Sequence, residues 1–166
     1  MAPVGSANAT LLILGSLPGD ASLLAQRYYA HPRNQFWHLL GRSIGEDLAS
    51  LPYDDRLARL AARRIALWDV IAEARRTGSL DGAIRESTSN PLHDYVLGHP
   101  DLGAVAFNGG TASRFGRSAL GELPGVAMVD LPSSSPAYTL PVDDKIERWA
   151  VLRALAWPAE NATLSR

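Results

Sequence analysis

No cysteine occurs among the 166 residues, which excludes a disulfide framework, a zinc ribbon and a cysteine-bound iron–sulfur cluster. Lysine is almost missing as well: Lys145 stands alone beside fifteen arginines. No apolar run approaches the ~18 to 20 residues that span a bilayer. The opening MAPVGSANAT lacks the basic start and apolar stretch of a signal peptide, so a cytoplasmic location is expected. The four histidines show no metal-ligand spacing, and no metal or organic cofactor is expected. An excess of one charge is absent too, since 16 basic and 17 acidic residues leave a formal net charge of −1. Affinity for a polyanion therefore requires a local basic face. The arginine bias suits phosphates and flat rings, although a genome that favours arginine codons explains it equally well.

The length and the 46% hydrophobic content fit one soluble domain with a sizeable core. That domain is expected over residues 11–157, with tails at 1–10 and 158–166. Short apolar runs read as buried strands at 11–15, where Gly and Pro close the run, and at 65–70, 103–107 and 125–131. Helical patterns fall at 34–43, 54–63, 111–120 and 143–156, with shorter ones near 80–84 and 91–97. Strands alternating with helices predict an α/β fold, a three-layer α/β/α sandwich around a central, mainly parallel four-stranded sheet. Ligands then sit at the carboxyl ends of the strands. Three loops that directly follow strands, 15–20, 108–111 and 132–138, are expected to meet in one crevice.

Each loop has a plain reading beside a sharper one. Gly15 to Asp20 is either a tight strand-to-helix turn, with Asp20 capping the helix, or a phosphate loop. It lacks the lysine of GxxxxGK[ST], and Pro18 removes a backbone N–H that a phosphate cradle uses. Pro132 to Tyr138 is either a turn or a rigid loop whose hydroxyls and N–H groups grip phosphodiester oxygens. Asn108 reads most simply as the cap of the following helix, the alternative being contact with a base edge. Trp68 reads as core, Tyr28 and Tyr29 as half-buried core, and His31 as a packing or capping side chain. Arg63 and Arg64 read as solvated, with phosphate contact the other option. The segment Tyr28-Tyr29-Ala30-His31-Pro32-Arg33-Asn34-Gln35-Phe36-Trp37 gathers flat rings, carboxamides, an imidazole and a guanidinium. Those groups suit a planar polar ring held between a stacking surface and hydrogen bonds. No G-x-S-x-G elbow supports a serine hydrolase.

Taken together, the pattern GSLPGD…YYAHPRNQFW…LWDV…FNGG…LPSSSPAYT resembles the uracil-DNA glycosylase superfamily, and is most similar to its hypoxanthine-DNA (deoxyinosine) glycosylase group. Gly15-Ser16-Leu17-Pro18-Gly19 resembles the first motif, and Leu131 to Ala137 the serine/proline-rich last one. Mismatch-type members place an asparagine at the position of Leu17, where it orients water. The hypoxanthine group resembles this chain in lacking it. The resemblance implies a monofunctional glycosylase acting on double- or single-stranded DNA that carries a deaminated base, as a monomer and without a cofactor. It implies Asn34 and His31 as catalytic residues, and Ser16, Leu17, Pro18, Gly19, Tyr29 and Asn108 around the base. Ser133, Ser134, Ser135, Pro136, Ala137 and Tyr138 are then the DNA-binding loop. Activity on uracil or mismatches, and a non-catalytic nucleobase-binding module, are the alternatives.

Overall fold

The computed structural model describes residues 1–75 and 85–157. Five strands make the central sheet: β1 (Val4–Gly5), β2 (Leu11–Gly15), β3 (Ile65–Asp69), and two later ones. A separate hairpin pairs β4 (Ile71–Arg75) with β5 (Arg85–Ser89) in antiparallel fashion. β6 (Ala104–Asn108) and β7 (Ala127–Leu131) complete the sheet, whose order is β1-β3-β2-β6-β7. Only β1 runs antiparallel to its neighbour. The helices are α1 (Asp20–Ala25), α2 (Phe36–Ile44), α3 (Tyr53–Ala62), α4 (Leu92–Leu97), α5 (Gly110–Leu120), α6 (Val142–Trp149) and α7 (Leu152–Leu155).

β2, β3 and β6 are buried along their whole length, as expected of parallel strands covered on both faces. Alternation then decides which layer each residue meets. Leu11, Ile13, Ile65, Leu67, Ala104 and Ala106 pack under α2, α3, α6 and α7. Leu12, Leu14, Ala66, Trp68, Val105 and Phe107 pack under α4 and α5. Each fully buried leucine or isoleucine contributes ~1.5–3 kcal/mol relative to exposure. Buried indole N–H groups find carbonyls: Trp37 donates to Tyr28, Trp68 to Met1 and Trp149 to Pro132.

The fold differs from the expectation in specific places. The sheet has a fifth strand, because Val4 and Gly5, expected in a tail, pair with Leu67 and Ala66. The β4–β5 hairpin follows β3 directly, and the helix expected at 80–84 lies outside the described residues, as does the tail at 158–166. The closing helix is two helices, with Ala150 as the cap where α6 ends. Arg63 and Arg64 are not solvated. Arg63 donates to the Ile44 carbonyl at 2.6 Å, to Glu46 at 3.1 Å and to the Trp157 carbonyl at 3.3 Å. Arg64 pairs with Asp101 at 2.7 Å and its guanidinium lies over Trp157. Both arginines close the domain, and neither is left for phosphate.

Because Arg63 joins the ends of α2 and α3 to the chain after α7, Arg63→Ala should destabilise the fold by ~2–3 kcal/mol. Chemical denaturation of both proteins measures this, and an unchanged midpoint would contradict the role.

Candidate active site

The carboxyl ends of β2, β3 and β6 open into a cavity of about 480 Å³, within the range of small-ligand sites. The three loops expected to converge do so. Ser16, Leu17, Pro18, Gly19, Tyr29, His31, Asn34, Asn108, Ser133, Ser134, Ser135, Ala137 and Tyr138 all line it. Pro136 is exposed and lies outside the lining. Asp20, at the end of the first loop, lines it too, as do Asp69 and Ser22, neither of which was expected there. Among the described residues the lining contains no arginine or lysine, so their grip on an anion relies on N–H and hydroxyl groups.

The floor begins at Gly15. Its carbonyl accepts from Val70 N–H at 2.8 Å, and the Ser16 carbonyl accepts from Ile71 N–H at 2.8 Å. A Cβ at Gly15 would stand 2.7 Å from Asp69 Oδ1 and 2.8 Å from the Tyr29 hydroxyl. Glycine is therefore what allows these two groups to close over the end of β2. Asp20, expected as a cap, is the first residue of α1, and the cap position is Gly19 with no side-chain bond. The Asp20 carboxylate still lies in the first turn, where the helix dipole favours a negative charge.

Tyr29 is held as a platform. Its ring lies 3.8 Å from the Phe36 ring at an interplanar angle of 11°. Its φ of +53° is an unfavourable conformation for a bulky residue, costing ~1–3 kcal/mol. The flanking residues hold it there. Tyr28 N–H donates to the Tyr53 hydroxyl, and Ala30 N–H donates to Ser22 Oγ. Tyr28 itself is buried and donates its hydroxyl to the Ala2 carbonyl. Burial, with the nearby Asp69 charge adding to it, pushes that hydroxyl well above the usual tyrosine range.

A polar relay crosses the cavity wall. Asn108 Nδ2 donates to Ser134 Oγ at 2.9 Å, and Ser134 Oγ donates to Asn34 Oδ1 at 2.9 Å. Ser134 N–H returns a bond to Asn108 Oδ1 at 2.9 Å, while its carbonyl accepts from Gln35 N–H. Asn34 Oδ1 also accepts from Phe36 N–H at 2.9 Å. A backbone N–H can only donate, so this bond identifies which end of the carboxamide is the oxygen. With both lone pairs of Oδ1 engaged, Nδ2 is the end of Asn34 available to the cavity.

Two expectations change here. Asn108 does not cap α5; the cap residue is Gly109, with φ +98° and no side-chain bond. Ser134 does not face phosphate, being 1% exposed with its hydroxyl and backbone groups all engaged. Ser133 and Ser135 are different. Their oxygens accept from Ser135 N–H and Ala137 N–H, which leaves each hydroxyl hydrogen to donate outward. His31 is exposed and its Nδ1 accepts from Arg33 N–H at 3.1 Å. In the neutral ring that bond puts the proton on Nε2, the nitrogen left for a ligand.

Beneath the serine loop lies Lys145, fully buried. Its ammonium donates to Gln35 Oε1 at 2.9 Å and to the Ser135 carbonyl at 3.1 Å, 5.5 Å from the centre of the Tyr138 ring. Burial pulls its pKa below the usual lysine value. The spacing of Val142, Lys145, Trp149 and Leu152 was a readable sign that this lysine sits on an inward helical stripe.

Comparison with known proteins now bears on this geometry. The sequence profile of the Uracil DNA glycosylase superfamily matches residues 2–157. The chain belongs to that superfamily. It is 40% identical over 130 residues to a Methanosarcina acetivorans protein named hypoxanthine DNA glycosylase, covering 78% of this chain and 81% of the relative. A Methanosarcina barkeri protein of the same name is 46% identical over 107 residues, covering 64% and 68%. A solution NMR structure of a candidate uracil DNA glycosylase from Methanosarcina acetivorans superposes with a TM-score of 0.82 at 37% identity. That match covers 93% of this chain and 96% of the other. Among the described residues no helix is long and apolar enough to cross a membrane, and no three His, Asp or Glu side chains are grouped to hold a metal.

Two substitutions test the construction of this glycosylase-superfamily cavity. Gly15→Ala should displace Asp69 and Tyr29, lowering single-turnover base release by at least ~10-fold with native far-UV circular dichroism. Lys145→Met removes the buried ammonium and leaves Gln35 Oε1 and the Ser135 carbonyl without their donor, a loss of about 1–3 kcal/mol for each acceptor. The variant should melt earlier and, while still folded, bind DNA more weakly, measured by fluorescence anisotropy. Unchanged binding would contradict the loop-supporting role.

Proposed function

We propose that the chain is a monofunctional DNA glycosylase that removes a deaminated base, with hypoxanthine the favoured substrate. The observation that carries this reading is the convergence of all three strand-end loops on one cavity, with Asn34 Nδ2 as its open donor. Relatives named hypoxanthine DNA glycosylase support the choice of base. The substrate is double- or single-stranded DNA, the acting species is a monomer, and the compartment is the cytoplasm.

The target nucleotide must leave the stack, because its C1′ and base edge are inaccessible inside the duplex. A deaminated base is mispaired and costs less to open, which supplies part of the selectivity. The base lies on Tyr29, whose far face is backed by Phe36. Ser133 and Ser135 hydroxyls hold the flanking phosphates, and the exposed Ala137 and Tyr138 fill the vacated stack.

In the reaction the bond between C1′ and the base nitrogen breaks, and the electron pair leaves with the base. The sugar passes through an oxocarbenium-like state, as in glycoside hydrolysis. Water oxygen bonds C1′, and its surplus proton balances the one taken up by the departing base. The products are an abasic site and the free base. Asn34 donates from Nδ2 to the water, leaving the other lone pair of that water for C1′. It cannot accept the water's proton, since Oδ1 already accepts from Phe36 N–H and Ser134 Oγ. His31 Nε2–H and the amides of the 15–20 loop stabilise negative charge on the leaving base more than they stabilise the substrate. Leu17 takes no polar part and packs against the apolar core.

The test is single-turnover release from duplexes carrying one hypoxanthine, uracil, xanthine or ordinary pair, followed by alkali cleavage. Hypoxanthine should be released fastest. Release of uracil alone would move the chain to the uracil and mismatch branch, and base-dependent binding without any abasic product would make it a binding module. Asn34→Ala should slow release by at least ~10²-fold, the scale for one positioned catalytic group. Asn34→Asp, which keeps an oxygen and loses the Nδ2 donor, should fall as far. A near-normal Asn34→Asp rate would contradict the donor role.

A further inference from the structure

Resting on the glycosylase reading above, we infer that Leu24, with Leu23 beside it, forms a second apolar lip of the cavity. Its occupant is the DNA base next to the flipped nucleotide, on the side away from Tyr138.

Leu23, Leu24 and Ala25 are three consecutive exposed apolar residues. Leu24 is 90% exposed and Leu23 44%. Single exposed apolar side chains are ordinary, whereas a contiguous group marks a contact surface. Among the described residues the other large exposed apolar side chains are Leu97, Tyr138, Val151 and Trp157. Of these four only Tyr138 lines the cavity.

The helix decides where the leucines stand. Asp20, Ala21 and Ser22 line the cavity, and Leu24 comes one turn after Asp20 and Ala21 in α1. Positions three and four apart share one helix face, so Leu24 extends the cavity wall outward. That turn is anchored despite its length. Ser22 is buried and its Oγ accepts from Ala30 N–H at 3.1 Å. Arg27 N–H donates to the Ser22 carbonyl at 3.1 Å, and Gln26 Nε2 donates to the Leu23 carbonyl at 2.7 Å. The chain reaches α1 from the end of β2 and the serine loop from the end of β7, two strand spacings or ~10 Å away. Leu24 and Tyr138 therefore border the mouth from different sides.

The chemistry of this lip selects a base over a phosphate. The exposed Asp20 carboxylate shares its face and repels phosphate, and the side chains of the lip carry no donor. Arg27, the arginine nearest in the chain, turns its guanidinium over the Tyr53 ring, 5.5 Å from its centre. Turning one nucleotide out of the stack uncovers the flat faces of its two neighbours. Tyr138, reaching in from the serine loop, covers the face on its own side. The neighbour across the gap then meets Leu24, and leucine is among the side chains that wedge against base steps.

The test measures single-turnover release of hypoxanthine against protein concentration for the wild type, Leu24→Ser and Leu24→Met. Each protein is given an intact duplex and duplexes in which tetrahydrofuran replaces the nucleotide 5′ or 3′ to the lesion. On the intact duplex Leu24→Ser should raise the half-saturating concentration at least ~10-fold, the scale of one leucine returned to water. Leu24→Met keeps an apolar chain and should stay near the wild type. With the base removed on one of the two sides, the wild type should weaken and Leu24→Ser should weaken no further. An equal Leu24→Ser effect with and without either neighbouring base, or no effect on the intact duplex, would overturn this assignment alone. So would a wild type that sediments as a dimer and a Leu24→Ser protein that does not, since the lip then covers a second copy. A wild type that releases no base from any duplex would overturn the glycosylase reading and this assignment with it.

Discussion

One buried hydroxyl holds the site together. Ser134 Oγ accepts from Asn108 and donates to Asn34, a residue one hundred positions earlier in the chain. Its backbone N–H and carbonyl are used in the same junction, the latter by Gln35. The end of β6, the loop after β7 and the turn before α2 are thereby locked to one another. Without this junction Asn34 has no fixed orientation, since the Phe36 N–H bond alone restrains one atom of the carboxamide. Lys145 reinforces the arrangement from below by joining Gln35 to the Ser135 carbonyl.

The two ends of the cavity then carry different chemistry. The Asn34–Ser134–Asn108 end consists of neutral amides and hydroxyls, which suits water and phosphate without trapping either as an ion pair. The Gly15–Asp69–Tyr29 end combines a stacking face with a buried carboxylate. Preorganised neutral donors are worth more in such a partly enclosed site than in water, because they need no reorganisation as charge develops on the leaving base. The unfavourable backbone of Tyr29 serves the same positioning: hydrogen bonds of its neighbours hold its ring against Phe36 at the cavity wall.

Much of this was legible in the chain. β2, β3, β6 and β7 were expected within two residues of their positions because each is an apolar run, three of them closed by glycine, proline or asparagine and β3 following a helical pattern. Their parallel order followed from the alternating helices, and with it the meeting of the three loops. β1 has only two residues, too short for any pattern. β4, IAEAR, mixes apolar and charged residues and β5, RESTS, is polar, so neither shows the apolar run that marks the other strands. Asp69 was overlooked because one aspartate at a strand end looks like a strand boundary, and only its register with Gly15 turns it inward. Ser134 and Asn108 were read by type, hydroxyl for phosphate and amide for helix cap. Their real partners lie 26 and 100 positions away, and residue type carries no information about that. Arg63 and Arg64 similarly looked solvated until the closing segment folded back onto them.

The most direct measurement is single-turnover release of hypoxanthine by Ser134→Ala, with its unfolding midpoint determined in parallel. Removing one hydroxyl touches neither DNA nor base, yet it should free Asn34 and slow release by at least ~10-fold. The protein should stay folded, losing about 1–3 kcal/mol for the broken buried bonds. A folded Ser134→Ala protein that releases hypoxanthine at the wild-type rate would contradict the claim that this junction builds the active site.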